Sequence, residues 1–479
     1  MMTARNFGRP LAALAALLVA ACGSGGGGSG GNEQVAGIDR GGITIAQGPI
    51  NGFGSVIVNG VHYSTTGATI TIDDLPGTES DLRVGQVVRV EGTVTAGGTT
   101  GTATRITYND DVEGPVQSID TATSRFVVLG QTVQVSDATS FDDRIVPRSI
   151  EGLAVGARVE VSGLVGAGGV IAATRVELKS ASGSVEVRGA VEALDTAARR
   201  FRINLQLVDY SGAALNGFAA GQPASGDLVE AYGAVSESGT LVATRVEKRS
   251  GGLPGTTGDS ADLEGLITRY ASASDFDVAG QRVTTMATTT YEGGTAANLA
   301  VDANVEVDGG FDAAGRVVAT TVKFRPQSEA ELAGRIESVS AASGSLVVLG
   351  TTVRTSTLTR FEDHSSMHVE RFGIADLRVG DYVAIRSYRD ATGLVATLLE
   401  RDDAESSVEL QGIATDVAQP NFRVAGIAVT TGPMTEYRDN KGGSITAATF
   451  FAAAPGREVK VRGSVVGTAV LAERAELED

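Results

Sequence analysis

The fold is decided by residues 110–179, whose sequence is DDVEGPVQSIDTATSRFVVLGQTVQVSDATSFDDRIVPRSIEGLAVGARVEVSGLVGAGGVIAATRVELK. An apolar-polar opening that contains Gly114 predicts a first strand that is bent or bulged at this glycine. Residues 126–135 are two runs rich in β-branched residues around a glycine turn, which predicts a hairpin. Residues 158–162 alternate valine with polar residues, so a fourth strand is expected with one buried face and one solvated face. Residues 170–178 predict a fifth strand.

These landmarks recur in the same order, which predicts six tandem copies of one small domain. The connection between the third and fourth strands is long enough for one short helix. The strand-one glycine recurs as Gly48, Gly189, Gly265, Gly334 and Gly412. The copies are repeat 1 (residues 41–109), repeat 2 (110–180), repeat 3 (184–249), repeat 4 (261–325), repeat 5 (329–401) and repeat 6 (407–479). The hairpin of repeat 3 departs most, because Asn204 and Leu205 stand where a glycine turn is expected.

The N-terminus predicts export and a lipid anchor. Residues 1–21 carry two arginines, an apolar run too short to span a bilayer and then small residues, which is typical of a secretory signal peptide. The small residues directly before Cys22 resemble the lipobox of bacterial lipoproteins, and that resemblance implies lipidation of Cys22 after cleavage. An ordinary exported protein with a stray cysteine is the alternative. Gly23 is not the aspartate that, by the same resemblance, retains lipoproteins at the inner membrane, so the outer membrane is expected.

Two glycine-rich segments predict flexibility. Residues 22–40 include a Gly/Ser run with no side chains to bury, which predicts a flexible tether after the lipidated cysteine. Residues 250–260 are also glycine-rich and polar, unlike the short joints between the other repeats. This linker predicts a division of the chain into two halves of three repeats each.

The repeat resembles two known groups of domains. Five strands with a helix-sized gap after the third is the order of the OB-fold, a small, partly open Greek-key barrel. The glycine opening, the V-x-G hairpin and the ending Ala173-Thr174-Arg175-Val176 resemble a bacterial family of uncharacterised domains found in tandem on exported lipoproteins. The resemblance implies an all-β fold of six tandem five-stranded OB-like barrels and a cell-envelope location. It implies no active site.

Composition limits the partners. The formal charge of −18 argues against binding to nucleic acid or to an anionic membrane surface. Saccharide binding needs no basic charge and suits the expected compartment, although the absence of Trp leaves few stacking platforms. No G-x-S-x-G or phosphate-binding glycine motif follows a predicted strand, and the only cysteine is assigned to the anchor.

An aromatic residue followed by acids recurs after the third strand. The examples are Phe141-Asp142-Asp143, Tyr291-Glu292 and Phe361-Glu362-Asp363, with Ile72-Asp73-Asp74 and Tyr437-Arg438-Asp439 as looser variants. Paired carboxylates can bind calcium or perform acid-base chemistry. Alternatively, the aromatic residue closes a barrel end while the acid caps the following turn. Recurrence in most repeats favours this second interpretation.

Histidines cluster at one place, between Glu362 and Glu370. If that segment were helical, His364 and His368 would share a face and could hold a transition metal with a carboxylate. A solvated loop is the favoured alternative, so no metal site is expected there. His62 is expected to be a half-buried strand residue.

The sequence therefore favours a non-catalytic envelope lipoprotein. Its tandem β domains are expected to act as a spacer or a multivalent binding surface, with no cofactor and no metal. Its expected partners are the membrane, through the anchor, and an envelope glycan or another protein, but not nucleic acid. An envelope glycan-binding protein, or a hydrolase with its site in one diverged repeat, is the alternative.

Overall fold

A computed structural model describes residues 43–478, and nearly all of the regular structure in this range is β-strand. The all-β class and the six tandem domains predicted from the sequence are confirmed. The predicted signal peptide, Cys22 and the Gly/Ser tether lie outside the described residues. No helix within residues 43–478 is long and apolar enough to cross a bilayer.

The strands of repeats 1 to 3 form two sheets. Repeat 1 contains β1 (Thr44–Gly52), β2 (Val56–Val58), β3 (Val61–Ser64), β4 (Thr69–Ile72), β5 (Leu75–Gly77), β6 (Val87–Val94) and β7 (Thr100–Tyr108). Repeat 2 contains β8 (Val112–Asp120), β9 (Arg125–Val128), β10 (Gln131–Gln134), β11 (Ser140–Phe141), β12 (Arg158–Val165) and β13 (Ile171–Leu178). Repeat 3 contains β14 (Val185–Ala190), β15 (Glu192–Asp195), β16 (Arg200–Ile203), β17 (Gln206–Asp209), β18 (Ala214–Asn216), β19 (Leu228–Val235) and β20 (Leu241–Lys248).

The second half of the chain has longer strands. Repeat 4 contains β21 (Ser260–Ser272), β22 (Asp275–Val278), β23 (Gln281–Glu292), β24 (Asn304–Phe311) and β25 (Val317–Phe324). Repeat 5 contains β26 (Ala330–Ser340), β27 (Ser345–Val348), β28 (Thr351–Arg354), β29 (Arg360–Asp363), β30 (Tyr382–Asp390) and β31 (Gly393–Asp402). Repeat 6 contains β32 (Val408–Ala418), β33 (Asn421–Val424), β34 (Ile427–Arg438), α1 (Ala447–Ala453), β35 (Glu458–Val466) and β36 (Ala469–Leu477).

Short helical turns fill the predicted gap before the fourth strand. They are 3₁₀ turns at Glu79–Asp81, Ile150–Gly152, Ala296–Asn298 and Ile374–Asp376, and α1 in repeat 6. A further 3₁₀ turn, Thr121–Thr123, joins β8 to β9.

Each barrel closes through a parallel pairing between the second strand of its hairpin and its last strand. In repeat 2, β8, β9 and β10 pair antiparallel in succession, and β10 then pairs parallel with β13. The ring closes because β12 pairs antiparallel with both β13 and β8. Repeat 4 closes in the same way through β21, β22, β23, β25 and β24. The result is a five-stranded barrel with its core made from the inward faces of all five strands.

The repeats associate in pairs that were not predicted. The first strand of repeat 1, β1, pairs parallel with β21 of repeat 4. Strand β8 of repeat 2 pairs with β14 of repeat 3, and β26 of repeat 5 pairs with β32 of repeat 6. The predicted division into two halves of three repeats is therefore wrong, because the sheet of repeats 1 and 4 crosses the proposed boundary.

The predicted linker 250–260 packs against repeat 4. Leu253 is buried in the core of that repeat, and its N–H donates to the Gln281 Oε1 at 3.0 Å. The carboxylate of Asp259 accepts the Thr256 N–H at 2.9 Å and closes a turn. Strand β21 begins directly after this turn, at Ser260. These contacts hold the segment in place. A glycine-rich, polar composition does not exclude this, because one buried leucine is enough to anchor the segment.

The strand-one glycine serves a different purpose from the predicted bulge. The register of β8 is regular at Gly114 against β12, and its irregularity lies between Val116 and Ser118 against β9. A Cβ on Gly114 would lie 2.6 Å from the Leu129 Cγ. The glycine is thus required because the side chain of the hairpin turn folds over it. The hairpin of repeat 3 also forms, with Asn204 at a φ of 48°.

Candidate functional site

Three carboxylates meet where repeats 1, 2 and 3 join. Asp110 lies in the short connection between β7 and β8, while Glu186 is on β14 and Glu230 is on β19. One oxygen from each carboxylate lies within 4.8 Å of the other two. All three residues are buried, with exposed fractions of 0%, 7% and 0% in that order. We call Asp110, Glu186 and Glu230 the acidic cluster.

Strand alternation places these carboxylates outside the barrel of repeat 3. The neighbours Val185 and Val187 point into the core, so Glu186 points to the opposite face of β14. The repeat 2 strand β8 pairs with β14 at Glu113 and Val112, which brings the preceding Asp110 over that face. The expected solvated face of the alternating strands is therefore buried between repeats.

The acidic cluster is poor in hydrogen-bond donors. Among residues 43–478, no donor reaches either carboxylate oxygen of Asp110, the Glu186 Oε1 or the Glu230 Oε1. The second oxygen of Glu230 accepts a hydrogen bond from Arg249. Unpaired buried carboxylate oxygens are unfavourable, since burial removes their hydration without replacing it.

Burial changes the proton affinity of the cluster. Burial, with the negative charges of Glu186 and Glu160 nearby, raises the pKa of Asp110 well above its ordinary range. Burial and the adjacent Glu230 raise the pKa of Glu186 to about 10. Burial and the charge of Glu160 also raise the pKa of the neighbouring Asp73 to about 7. The site must therefore take up positive charge, either as protons or as a cation.

Two acids next to the acidic cluster, Glu160 and Glu113, differ from the cluster because each has a cationic partner. Glu160 accepts hydrogen bonds from Lys179 and from the hydroxyl of Tyr108, the latter at 2.6 Å. Glu113 pairs with Arg158 at 2.6 Å.

A chemically similar group in repeat 4 has two cationic partners for its glutamate and one of its aspartates, and an amide from repeat 1 for the other aspartate. Asp262 accepts the Asn59 amide at 2.7 Å, and Lys323 pairs with both Glu306 and Asp308, at 2.5 and 2.9 Å. Arg325 also reaches Glu306. This second group contains as many acids as the acidic cluster, so acid content alone does not distinguish the two.

A cavity of about 800 Å³ lies beside the acidic cluster and is formed by four repeats. Its charged lining is rich in arginine: Arg89 and Arg105 from repeat 1, and Arg188 and Arg249 from repeat 3. Burial lowers the pKa of Arg89, and the nearby charges of Arg188, Arg105 and Arg249 add to this effect. Glu91 pairs with Arg89 and Arg105, and Asp74 pairs with Arg249. Arg188 is therefore the lining arginine that has no carboxylate ion pair among residues 43–478.

The cavity also has neutral and acidic walls. The neutral lining includes the loop Gly166–Gly169 of repeat 2, with Leu164, Val165, Gln131 and Asn204. The acids are Asp74, Asp111 and Glu192. Asp74 is held by Arg249 and by the Tyr232 hydroxyl at 3.2 Å, whereas Asp111 accepts the Gly163 N–H at 2.9 Å.

His364 lies in the contact between repeats 2 and 5. Its Nδ1 meets Asp143 of repeat 2, and its Nε2 lies 3.4 Å from Glu362 and 3.2 Å from Glu400. Burial lowers the pKa of His364, but the bond to Asp143 and the two glutamates outweigh it and raise the pKa to about 11. The imidazole is therefore a cation that joins two repeats.

The predicted histidine pair does not form a helical metal site. His368 is not helical, since its φ is 47°, and its Nε2 lies 3.4 Å from Asp143. His364 is 6% exposed rather than solvated, because Asp143 of repeat 2 covers it. Within residues 43–478, the groups of potential metal ligands are made of carboxylates alone. His62 is half-buried on β3, and its Nδ1 lies 3.3 Å from the Ser55 hydroxyl.

The recurring aromatic-acid motif has different roles in repeat 2 and in repeat 1. Phe141 is buried in the core, and Asp142 accepts the Arg144 N–H at 2.9 Å, which matches the capping interpretation. In repeat 1, however, the same position holds Asp73 and Asp74. Asp73 accepts the Asp110 N–H at 3.2 Å and thereby lies beside the acidic cluster.

Sequence reasoning missed the acidic cluster. Glu186 and Glu230 alternate with apolar residues and look like the solvated face of a strand. The doublet Asp110-Asp111 looks like a polar joint between repeats. The available signal was that acids occupy the outward positions of first and fourth strands in several repeats, as at Glu113 and Glu160.

The chain belongs to the family described as domain of unknown function DUF5666. The family model matches six times, at residues 44–107, 113–177, 188–247, 264–323, 333–400 and 411–476. The resemblance to tandem uncharacterised domains is thus confirmed. A comparison with curated proteins found no match.

Proposed function

We propose that this chain is a non-catalytic envelope protein whose six barrels build one binding body. The cavity formed jointly by repeats 1, 2, 3 and 4 carries the proposal. Binding sites in proteins are concave and are often built between domains. Here the pairing of β1 with β21 brings distant repeats together around the cavity.

The pairing of β1 with β21 favours a role as a binding protein over a role as a spacer. A spacer gains reach when its domains follow one another end to end. In this chain repeat 4 returns to share a sheet with repeat 1, and repeat 5 contacts repeat 2 through the buried His364. Both contacts shorten the body. We therefore favour the binding surface, and we place the ligand in one composite cavity rather than in six equivalent sites.

The ligand of this cavity carries negative charge. Arg188 and Arg89 line it from two repeats. Arg89 lies 3.6 Å from Glu91, whereas among residues 43–478 no carboxylate forms an ion pair with Arg188. Guanidinium groups bind carboxylates and phosphates through paired hydrogen bonds. An envelope glycan that bears such groups meets this requirement. Because the whole chain carries a formal charge of −18, we expect an anion to bind only in this arginine-containing cavity.

Location rests on the N-terminal sequence. A lipid on Cys22 that inserts into the outer membrane, as in bacterial lipoproteins, attaches the binding body to the envelope. The OB-like character of each barrel is part of the same proposal. The ring order of repeat 2, which closes through the parallel pairing of β10 with β13, supports it.

A glycan hydrolase is the second candidate, because Asp74 and Asp111 both line the cavity. Most glycosidases use two carboxylates on opposite sides of the scissile bond. Asp74 is already paired with Arg249, which fixes it as an acceptor and opposes a catalytic role. We therefore favour binding without turnover.

The test measures binding of envelope glycans to the full chain in detergent. Isothermal titration with soluble anionic glycan fragments should show saturable binding that weakens as salt rises. Arg188→Gln should weaken it by about tenfold, the equivalent of about 1.4 kcal/mol. The matched control is Arg282→Gln, an exposed arginine outside the cavity, which should bind as the wild type does.

Two results would contradict the proposal. Equal loss of binding in both arginine variants would mean that the cavity is not the site. Release of reducing sugar ends by the wild type, lost in Asp111→Asn, would replace the binding role with the hydrolase.

A further inference from the structure

The acidic cluster has more negative charge than the structure neutralises. Among residues 43–478, neither Asp110 nor Glu186 forms an ion pair, and Glu230 meets Arg249 with only one oxygen. The nearby cations Lys179 and Arg158 are engaged by Glu160 and by Glu113. At least two carboxylates therefore face one another without a positive charge between them.

Asp110 gives the independent sign of a ligand. It is fully buried, and neither of its oxygens meets a donor within the described part of the chain. Its carboxylate belongs to two overlapping groups of three acids, one with Glu186 and Glu230 and one with Glu113 and Glu160. Asp110 thus points its unsatisfied oxygens into the place where the other acids converge.

We propose that the acidic cluster binds one hard divalent cation, Ca²⁺, which ties the connection between repeats 1 and 2 to repeat 3. Oxygen ligands lie about 2.3–2.6 Å from Ca²⁺, so two of them on one ion are at most about 5 Å apart. The carboxylate oxygens of the acidic cluster lie within 4.8 Å of one another, which meets this limit.

The chemistry of the cluster selects the metal. Ligands made only of carboxylates suit hard cations and do not suit zinc or copper, which prefer nitrogen and sulfur. Mg²⁺ gives up its water reluctantly and usually keeps several water ligands. A buried group of three carboxylates instead favours the larger ion, which accepts irregular oxygen coordination.

The site lies at a structural junction. Asp110 belongs to the only direct chain connection between repeats 1 and 2, and Glu186 and Glu230 belong to adjacent strands of repeat 3. One ion would therefore link three repeats. The chain neighbours of Asp110, Asn109 and Asp111, line the large cavity, so the ion reaches the site from that side. The inference does not depend on the glycan proposal, because the cavity lining and the acidic cluster share no residue.

The experiment titrates CaCl₂ into the full chain after chelator treatment. We expect one Ca²⁺ per chain with a dissociation constant of about 10⁻³ M or lower, the range of extracellular calcium modules. The melting temperature should be higher in CaCl₂ than in EDTA. Equal millimolar MgCl₂ should give a smaller increase, and ZnCl₂ should give none at this site.

Isosteric variants separate a ligand from a merely structural residue. Asp110→Asn and Glu186→Gln should each weaken Ca²⁺ binding by at least about tenfold, since even outer-shell changes cost that much. In EDTA both variants should melt at a higher temperature than the wild type, because a buried amide needs neither a proton nor a cation to remove its charge. If Asp110 and Glu186 were only structural, their variants would not lose the calcium response and at the same time become more stable in EDTA.

Asp262→Asn is the matched control. It removes a buried acid from the group that already contains Lys323 and Arg325 as cationic partners, so Ca²⁺ binding at the acidic cluster should be unchanged. The proposal fails if the wild type melts at the same temperature in CaCl₂ and in EDTA, since protons then neutralise the cluster. It also fails if Asp262→Asn reduces Ca²⁺ binding as much as Glu186→Gln does.

Discussion

The contact between repeats 2 and 5 should make stability depend on pH through His364. The bond to Asp143 and the nearby Glu362 and Glu400 raise the pKa of His364 from its ordinary 6.5 to about 11. The folded chain therefore keeps a proton that the unfolded chain releases. The stabilisation is fully present below pH 6.5 and is lost as the pH rises through about 11.

The magnitude follows from proton linkage. Between these two pKa values, one extra bound proton in the folded state lowers the free energy of unfolding by about 1.4 kcal/mol per pH unit. His364 should thus account for a loss of about 2 kcal/mol between about pH 7.5 and about pH 9. This interval avoids most titration of tyrosine and lysine.

The assay compares urea unfolding of the wild type and His364→Gln at several pH values. The variant should be less stable at about pH 7 and should lack the His364 contribution to the slope. Val353→Ala is the control, because it removes buried volume from the core of repeat 5 without a titrating group. It should lower stability equally at every pH. Parallel pH profiles for wild type and His364→Gln would refute the charged imidazole in this interface.

Three further predictions follow from the packing and the anchor. Gly114→Ala should cost about 1–3 kcal/mol in urea unfolding because its Cβ would lie 2.6 Å from Leu129, whereas Gly97→Ala, with open space around it, should be neutral. A smaller effect at Gly114 than at Gly97 would contradict this. Protease cleavage within residues 250–260 should leave two fragments that co-elute in gel filtration, because β1 and β21 stay paired; separation without denaturant would disprove the shared sheet. Cys22→Ala should abolish palmitate labelling, and labelling that persists would reject the lipobox interpretation.

The domain fold could be read from the sequence because its signals are local. The glycine turn within residues 126–135 and the valine alternation of residues 158–162 depend on residues within a few positions of each other. Six copies of the pattern fixed the domain count. The bulge expected at Gly114 was misplaced. A glycine in a strand indicates either an irregular backbone or the close approach of another group, and only the position of the Leu129 side chain shows that the second applies here.

The arrangement of the repeats could not be read in the same way. The pairing of Thr44 with Ser260 joins residues far apart in sequence, and no local pattern encodes it. The acidic cluster depends on that arrangement, since Glu186 is a solvated strand residue in an isolated barrel. His364 is similar: its sequence neighbours suggest a loop, whereas its principal partner, Asp143, comes from another repeat.

The pairing of repeats 1 and 4 closes the body around the cavity. The most direct test is disulfide formation between Thr44→Cys and Ser260→Cys, in a chain where Cys22→Ala removes the only other thiol. Register partners on adjacent strands lie about 5 Å apart, within disulfide range, whereas Thr44→Cys with Asp262→Cys is offset by two residues and lies about 8 Å apart. Rapid crosslinking of the first pair is expected, seen as a compact band on a non-reducing denaturing gel, and little of the second. Absence of the crosslink in the first pair would contradict the pairing of repeats 1 and 4.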